Sequence, residues 1–241
     1  MRYGALINGA LIIIGGLTGR LVGRLVTEKI RETVIKGIGV SVMMMGISGT
    51  LSKMFMTEST GITTEGSIML VVCMAIGAVI GEAVDIDGGM DRFGEWLKQK
   101  TGNARDNEFV DAFVTTTLIV GVGAMAVMGS IEDGLSGDNT VLIVKSIIDL
   151  ITVTFLSSAL GKGCLFSFIP VTLFEGILTM LAGLLSPIMT KQALDALSLV
   201  GNSMMVMIGI NMFAEKYFRA GNYLPSLIFA VLWTYLGLPM T

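Results

Sequence analysis

The chain contains no histidine. That single absence removes the commonest metal ligand and the side chain that most often serves as a general base near neutral pH. Cysteine is almost missing too. Cys73 and Cys164 are the only two, each in an apolar stretch, which predicts small buried thiols and not a structural disulfide. Charged residues make up 15% of the chain, against roughly 25% in soluble domains. A net charge of −3 favours neither nucleic acid nor an anionic surface as a partner. What remains is apolar: 53% of the 241 residues are hydrophobic and the mean hydropathy is +0.79.

Uncharged runs recur over 3–19, 37–52, 66–81, 112–131, 196–214 and 220–241. A bilayer core about 30 Å thick needs roughly 17–25 apolar residues per helix. The pattern predicts an all-α polytopic transmembrane bundle of about eight spans, with the lipid bilayer as its partner and 1–241 as one integral membrane domain. The spans are expected near 4–22, 35–52, 67–84, 110–130, 141–160, 164–186, 196–214 and 222–240. Several are short, so flanking Lys and Arg are expected to snorkel to the interface. The first apolar run has no A-x-A-like cleavage site before charges resume, and it is read as a retained span.

Lys and Arg are distributed unevenly between alternate loops. One side has Arg20, Arg24, Lys29, Arg31, Lys36, Arg92, Lys98, Lys100, Arg105, Lys162, Lys216 and Arg219, while the other has Arg2, Lys53 and Lys191. This split of 12 against 3 places the odd loops in the cytoplasm and both termini outside. In the third loop, GGMDRFGEWLKQK puts Phe93, Trp96 and Leu97 on one helical face. That suits a helix lying in the headgroups, with a solvated connector as the alternative.

An internal repeat relates 4–52 to 169–214. With one four-residue gap, Leu6 pairs with Leu173, Gly9 with Gly176, Gly16 with Gly183, Thr27 with Thr190, Met44 with Met207, Gly46 with Gly209 and Ile47 with Ile210. Five spans separate the copies, an odd number, so they are expected to run in opposite directions. Inverted repeats are common in secondary transporters. Chance similarity in Gly- and Leu-rich sequence is the alternative.

Ionisable groups cost about 2.5–3.5 kcal/mol each at mid-membrane on insertion scales. Lys145 and Asp149 lie one turn apart inside the fifth span. They read as a charge pair lining a substrate or ion path, or as a self-neutralising lock between helices. Glu175 has apolar runs on both sides, and its repeat equivalent is Asn8. Ser48 is likewise equivalent to Asn211. A polar cavity collecting Asn8, Ser48, Glu175 and Asn211, with Lys145 and Asp149 on its wall, is therefore expected near the midplane. Interhelical hydrogen bonding is the plainer reading. Pro170 is expected to loosen the sixth span.

The segment 129–139 is Gly-rich and acidic and reads as an outer loop. Asp138 is a candidate N-cap for the fifth span, and the three carboxylates Glu132, Asp133 and Asp138 could concentrate cations at an outer mouth, with Asp138 and Asn139 as candidate ion-binding residues; a solvated turn serves equally. Gly15, Gly19 and Gly23 form a small-residue ridge, a candidate homo-oligomer seam or an intramolecular packing face. The eighteen methionines read as flexible core filler. Gly46–Ile47–Ser48–Gly49 looks like an intramembrane protease motif, but there is no histidine to act as base. No enzyme, cofactor or metal centre is expected.

The motifs LINGALIIIGGLTGRLVG, IGAVIGE followed by RFGEWLK, VGAMAVMGSIEDGLSGD, KSIIDL, and LFSFIPVTLFEG followed by LAGLL resemble the YdfK/YqgA-like bacterial membrane proteins, a domain-of-unknown-function family numbered 554. The resemblance covers essentially the whole chain. It implies an uncharacterised multi-span inner-membrane protein and carries over no catalytic residue. The function expected from the residues is a small secondary transporter or ion pathway for an ion or small polar solute, with H⁺ or Na⁺ coupling by the carboxylates. The alternative is a non-transporting structural or accessory membrane protein.

Overall fold

The computed structural model describes residues 3–23, 25, 27–58, 61–121, 123–213 and 217–236. Arg2, Arg24 and Lys216 of the loop count, and the end of the eighth expected span, lie outside the described residues. The helices are α1 (Gly4–Gly23), α2 (Glu28–Met54), α3 (Ser67–Val84), α4 (Ile86–Lys100), α5 (Phe109–Gly121), α6 (Ala124–Ser136), α7 (Thr140–Leu160), α8 (Phe168–Met180), α9 (Ala182–Leu185), α10 (Lys191–Asn211) and α11 (Pro225–Trp233). Two 3₁₀ segments, Lys162–Ser167 and Ala220–Tyr223, lead into α8 and α11.

Among the described residues, six helices are long and apolar enough to cross a membrane, counting Lys162–Met180 as one of them. Counted as one span, the bent pair α5 and α6 makes a seventh. The apolar stretch Ala220–Trp233 stands where the eighth was expected and is shorter. The chain is an all-α multi-pass membrane bundle with one addition. A hairpin of β1 (Phe55–Glu58) and β2 (Gly61–Thr64) pairs Phe55 with Thr64 and Glu58 with Gly61 between α2 and α3.

The chain forms two compact units. Met1–Ile38 and Gly88–Pro187 form unit 1, and Gly39–Asp87 and Ile188–Thr241 form unit 2. Each copy of the proposed repeat gives its first helix to unit 1 and most or all of its second to unit 2.

In unit 1 the glycine ridge of α1 lies on α7. A Cβ on Gly15 would come within 2.6 Å of the Leu150 carbonyl oxygen, and one on Gly23 within 2.7 Å of the Ser158 carbonyl. Gly19 abuts the Thr154 carbonyl in the same way. Each step of four on α1 matches a step of four on α7, so the two helices run parallel. Backbones this close leave no room for a side chain. The ridge expected as a candidate oligomer seam is therefore occupied by α7.

α8 runs antiparallel to α1. Gly9 lies beside Thr172 and Gly16 beside Leu165, in the 3₁₀ turn ahead of α8. Pro170 lies just after the Lys162–Met180 span passes from 3₁₀ to α geometry. It sits in the first turn of α8, where the missing N–H would have no intrahelical partner anyway. A sharper break lies between α5 and α6, whose axes differ by 62°.

α4 turns Leu97 inward, at 4% exposure, and leaves Phe93 and Trp96 at the surface, stacked with ring centroids 5.7 Å apart. The three residues expected to share one fate divide two to one.

Unit 2 repeats the device of close backbones. α2 and α10 run antiparallel: Gly39 meets Gly209 and Met212, Gly46 meets Asn202 and Val206, and Gly49 meets Asn202. Thr190 caps α10 by accepting from the Ala193 N–H at 3.2 Å. Gly77 and Gly81 of α3 fit against Ser226 and Asn222 at the start of α11.

Candidate functional site

Four polar side chains meet inside unit 1. Asn8 is on α1, Lys145 and Asp149 are on α7, and Glu175 is on α8. All are buried: Asn8 and Glu175 at 0% exposure, Lys145 at 6% and Asp149 at 4%. The parallel α1–α7 pair and the antiparallel α1–α8 pair bring their faces together.

The Asn8 Nδ2 donates to both Glu175 oxygens, at 2.8 and 3.0 Å. Lys145 Nζ donates to Asp149 Oδ2, pairs with Glu175 Oε1 at 3.1 Å, and donates to the Val120 carbonyl at 2.9 Å. An ammonium has three N–H bonds, and this one has three acceptors. Val120 lies in the last turn of α5, just before the break. Its carbonyl belongs to the group that a helix end leaves without an intrahelical partner. The lysine therefore satisfies the broken helix, and its charge suits the negative end of the helix dipole.

With both carboxylates ionised, one positive and two negative groups would leave a net charge of −1. An uncompensated charge out of water is costly, so the arrangement is suited to hold one more positive charge. The Asn8 Oδ1 is buried without a protein partner.

Asp133 stands one helical turn from the cluster along α1, buried and not at an outer mouth as expected. The segment 129–139 was expected to be a loop. It is helical as far as Ser136, closed by Gly137 at φ 74°, and Asp133 is fully buried there. Its Oδ2 accepts from the Gly4 N–H at 3.1 Å, at the N-terminus of α1. The signal available in the sequence was AMAVMGSIEDGLS itself, whose apolar residues continue past Ser130.

The other expected site residues lie elsewhere. Asp138 is exposed and is not the N-cap of α7; that position falls to Asn139. The Asp138 carboxylate reaches two residues on to the Thr140 N–H at 3.0 Å. Hydrogen bonds from Thr140, side chain first and backbone second, hold the Asp138 carboxyl below its ordinary range. Ser48 and Asn211 belong to unit 2. Ser48 is exposed. Asn211 bridges the backbone of Phe218, donating to its carbonyl at 2.7 Å and accepting from its N–H at 2.8 Å.

Unit 2 has a polar network of its own. Arg219 pairs with Glu82 and Asp85, and Asn222 accepts from the Asp87 N–H at 2.8 Å. Asp87 in turn accepts from the Gly221 N–H at 3.0 Å. These contacts tie the end of α3 to the entry of α11.

The family model described as protein of unknown function (DUF554) matches residues 3–235. The uncharacterized protein YqgA of Escherichia coli (strain K12) is 23% identical over 235 residues, 96% of this chain and 95% of that protein. The uncharacterized membrane protein YdfK of Bacillus subtilis (strain 168) is 20% identical over 226 residues, 94% and 93% of the two chains. No solved structure matches.

Proposed function

We propose that this chain, which belongs to the family of unknown function DUF554, is a small secondary transporter or ion pathway of a bacterial or archaeal plasma membrane, with both termini outside and the short stretch Ala220–Trp233 serving as the eighth span. The observation that carries the reading is the buried cluster of Asn8, Lys145, Asp149 and Glu175 beside the α5–α6 break. Structural membrane contacts seldom require three ionisable groups, whereas ion and proton pathways do. Interrupted helices whose free backbone ends face polar groups are a recurrent feature of transporter sites.

The contacts in unit 2 support the inverted repeat behind this reading. The repeat shifts residues of α2 by 163, as from Gly46 to Gly209. That shift turns the Gly39–Gly209 contact into Asn202–Gly46, Gly46–Val206 into Gly209–Met43, and Gly49–Asn202 into Met212–Gly39, and all six contacts are present. In unit 1 the equivalent residues Asn8 and Glu175 bond to each other, as they would on a two-fold axis.

A non-transporting accessory protein is the second reading. The saturation of all three Lys145 donors favours it, since a static lock would be built that way. Reconstituted vesicles separate the two. The parent should dissipate an imposed proton or sodium gradient, read with a trapped pH-sensitive dye and with radioactive sodium. Glu175→Gln should abolish that flux while keeping the thermal unfolding transition. If neither ion moves, or if the variant moves it as fast as the parent, the transport reading is lost.

A further inference from the structure

A file of unpartnered polar atoms leads to the cluster. Ser130 Oγ, Asp133 Oδ1, Thr179 Oγ1 and Asn8 Oδ1 are all buried and have no protein hydrogen-bond partner. Ser130, Asp133 and Asn8 have no exposure, and Thr179 has 7%. Native interiors seldom leave such atoms unsatisfied, and ordered water commonly serves groups of this kind.

Helical spacing sets these atoms in order. Gly4 and Asn8 are one turn apart on α1, about 6 Å at 1.5 Å per residue. Thr179 and Glu175 are one turn apart on α8 in the opposite direction. Each level is tied across: the Gly4 N–H to Asp133, and Asn8 to Glu175. Gly134 packs on the backbone of Thr179, which brings α6 against α8 at the Asp133 level. Ser130 lies one turn before Asp133 on α6.

The structure assigns the ion of this site as a proton: Asp133 takes it up near the N-terminus of α1 and passes it, through Ser130, Thr179 and the water they hold, to the Glu175 carboxylate. This rests on the reading above that the cluster is an ion site. The groups facing Glu175 are Lys145 from α7, which also holds Asp149 and the Val120 carbonyl of α5, and Asn8 from α1; Asp133 of α6 stands one turn away. A proton on Glu175 leaves Lys145 and Asp149 as a neutral pair. A metal ion would have to sit against the ammonium, which already fills the space between the two carboxylates. Asn8 serves both states of Glu175. Its amide donates to the carboxylate, and turned end for end its Oδ1 accepts from the neutral acid.

Two measurements on the full chain in membranes test this without needing flux. The first uses a background of Cys73→Ala and Cys164→Ala with Ser130→Cys or Thr179→Cys added. These thiols should react with a small methanethiosulfonate reagent at least tenfold faster than Val200→Cys, which is equally buried but lies on α10 in unit 2. Equal rates would overturn the water-filled path. The second is infrared spectroscopy near neutral pH. The parent should show the carbonyl stretch of a neutral carboxylic acid, unchanged by sodium chloride and lost in Glu175→Gln. Absence of the band, or its removal by sodium, would overturn the proton. If the label and the band behave as expected but vesicles show no flux, the proton site stands and transport does not.

Discussion

The two units share one way of packing and differ in what they enclose. Both bring helices to backbone contact through glycine: Gly15, Gly19 and Gly23 on α7 in unit 1, and Gly39, Gly46, Gly77 and Gly81 in unit 2. Their ion pairs differ in placement. Unit 1 buries Lys145 with Asp149 and Glu175, whose side chains are 8%, 6% and 0% exposed. Unit 2 keeps Lys53 and Asp195 at 36% and 28%, and its Arg219 pairs are also partly exposed. Glycine packing therefore builds both units, and among the described residues the buried Lys145–Asp149–Glu175 cluster lies in unit 1. In a lipid environment the packing has to come from close backbones, because lipid tails offer helices no hydrophobic drive to associate.

The largest expected effect tests whether the buried cluster is one interdependent unit. Lys145→Met leaves two facing carboxylates and should cost about 3–5 kcal/mol, the usual cost of breaking a buried pair. The double variant Lys145→Met with Asp149→Leu leaves only Glu175, which a proton can neutralise, and should recover part of that loss. Thermal unfolding in detergent measures both. Equal stability of the single and double variants would mean that these groups already reach water.

An intermediate effect is expected from the feature the units share. Gly19→Leu in unit 1 and Gly77→Leu in unit 2 each force a side chain into a neighbouring backbone. Overpacking of this sort costs about 1–3 kcal/mol. Gly37→Ala, with nothing within 4 Å of its added Cβ, serves as the control and should leave the unfolding midpoint in place. If Gly77→Leu is as harmless as the control, the parallel between the units fails.

The smallest effect belongs to unit 2's exposed pair. Lys53→Met should cost no more than about 1 kcal/mol, since partly exposed ion pairs are screened by solvent. Added salt should narrow the gap between parent and variant. A loss as large as that of Lys145→Met would erase the contrast between the units.

Much of this was legible in the sequence. Hydropathy marks the spans because a bilayer tolerates only long apolar helices. Lys145, Asp149 and Glu175 stand out because charge inside such runs is rare, and the repeat alignment had already set Asn8 opposite Glu175. The break between α5 and α6 was hidden, because GVG inside an apolar run reads as easily as packing glycine as it does as a hinge. The burial of Asp133 was hidden for a related reason. Acidic residues beside glycines resemble a solvated turn, and only the approach of α1 and α8 makes that segment a buried helix. Ser48 and Asn211 were drawn into the site by alignment alone, and alignment does not state which unit a helix joins.

By itself, then, the sequence determined a multi-pass helical membrane protein with three unexplained charges in its spans, because lipid penalises polar groups wherever they fall along a helix. Which of those charges meet was decided by tertiary structure. The parallel run of α1 on α7 and the antiparallel run of α1 on α8 set Asn8, Lys145, Asp149 and Glu175 within hydrogen-bonding reach, and the α5–α6 bend offers Lys145 its third acceptor. Those crossings depend on glycine contacts between segments far apart in the chain, and local pattern has no means of expressing them.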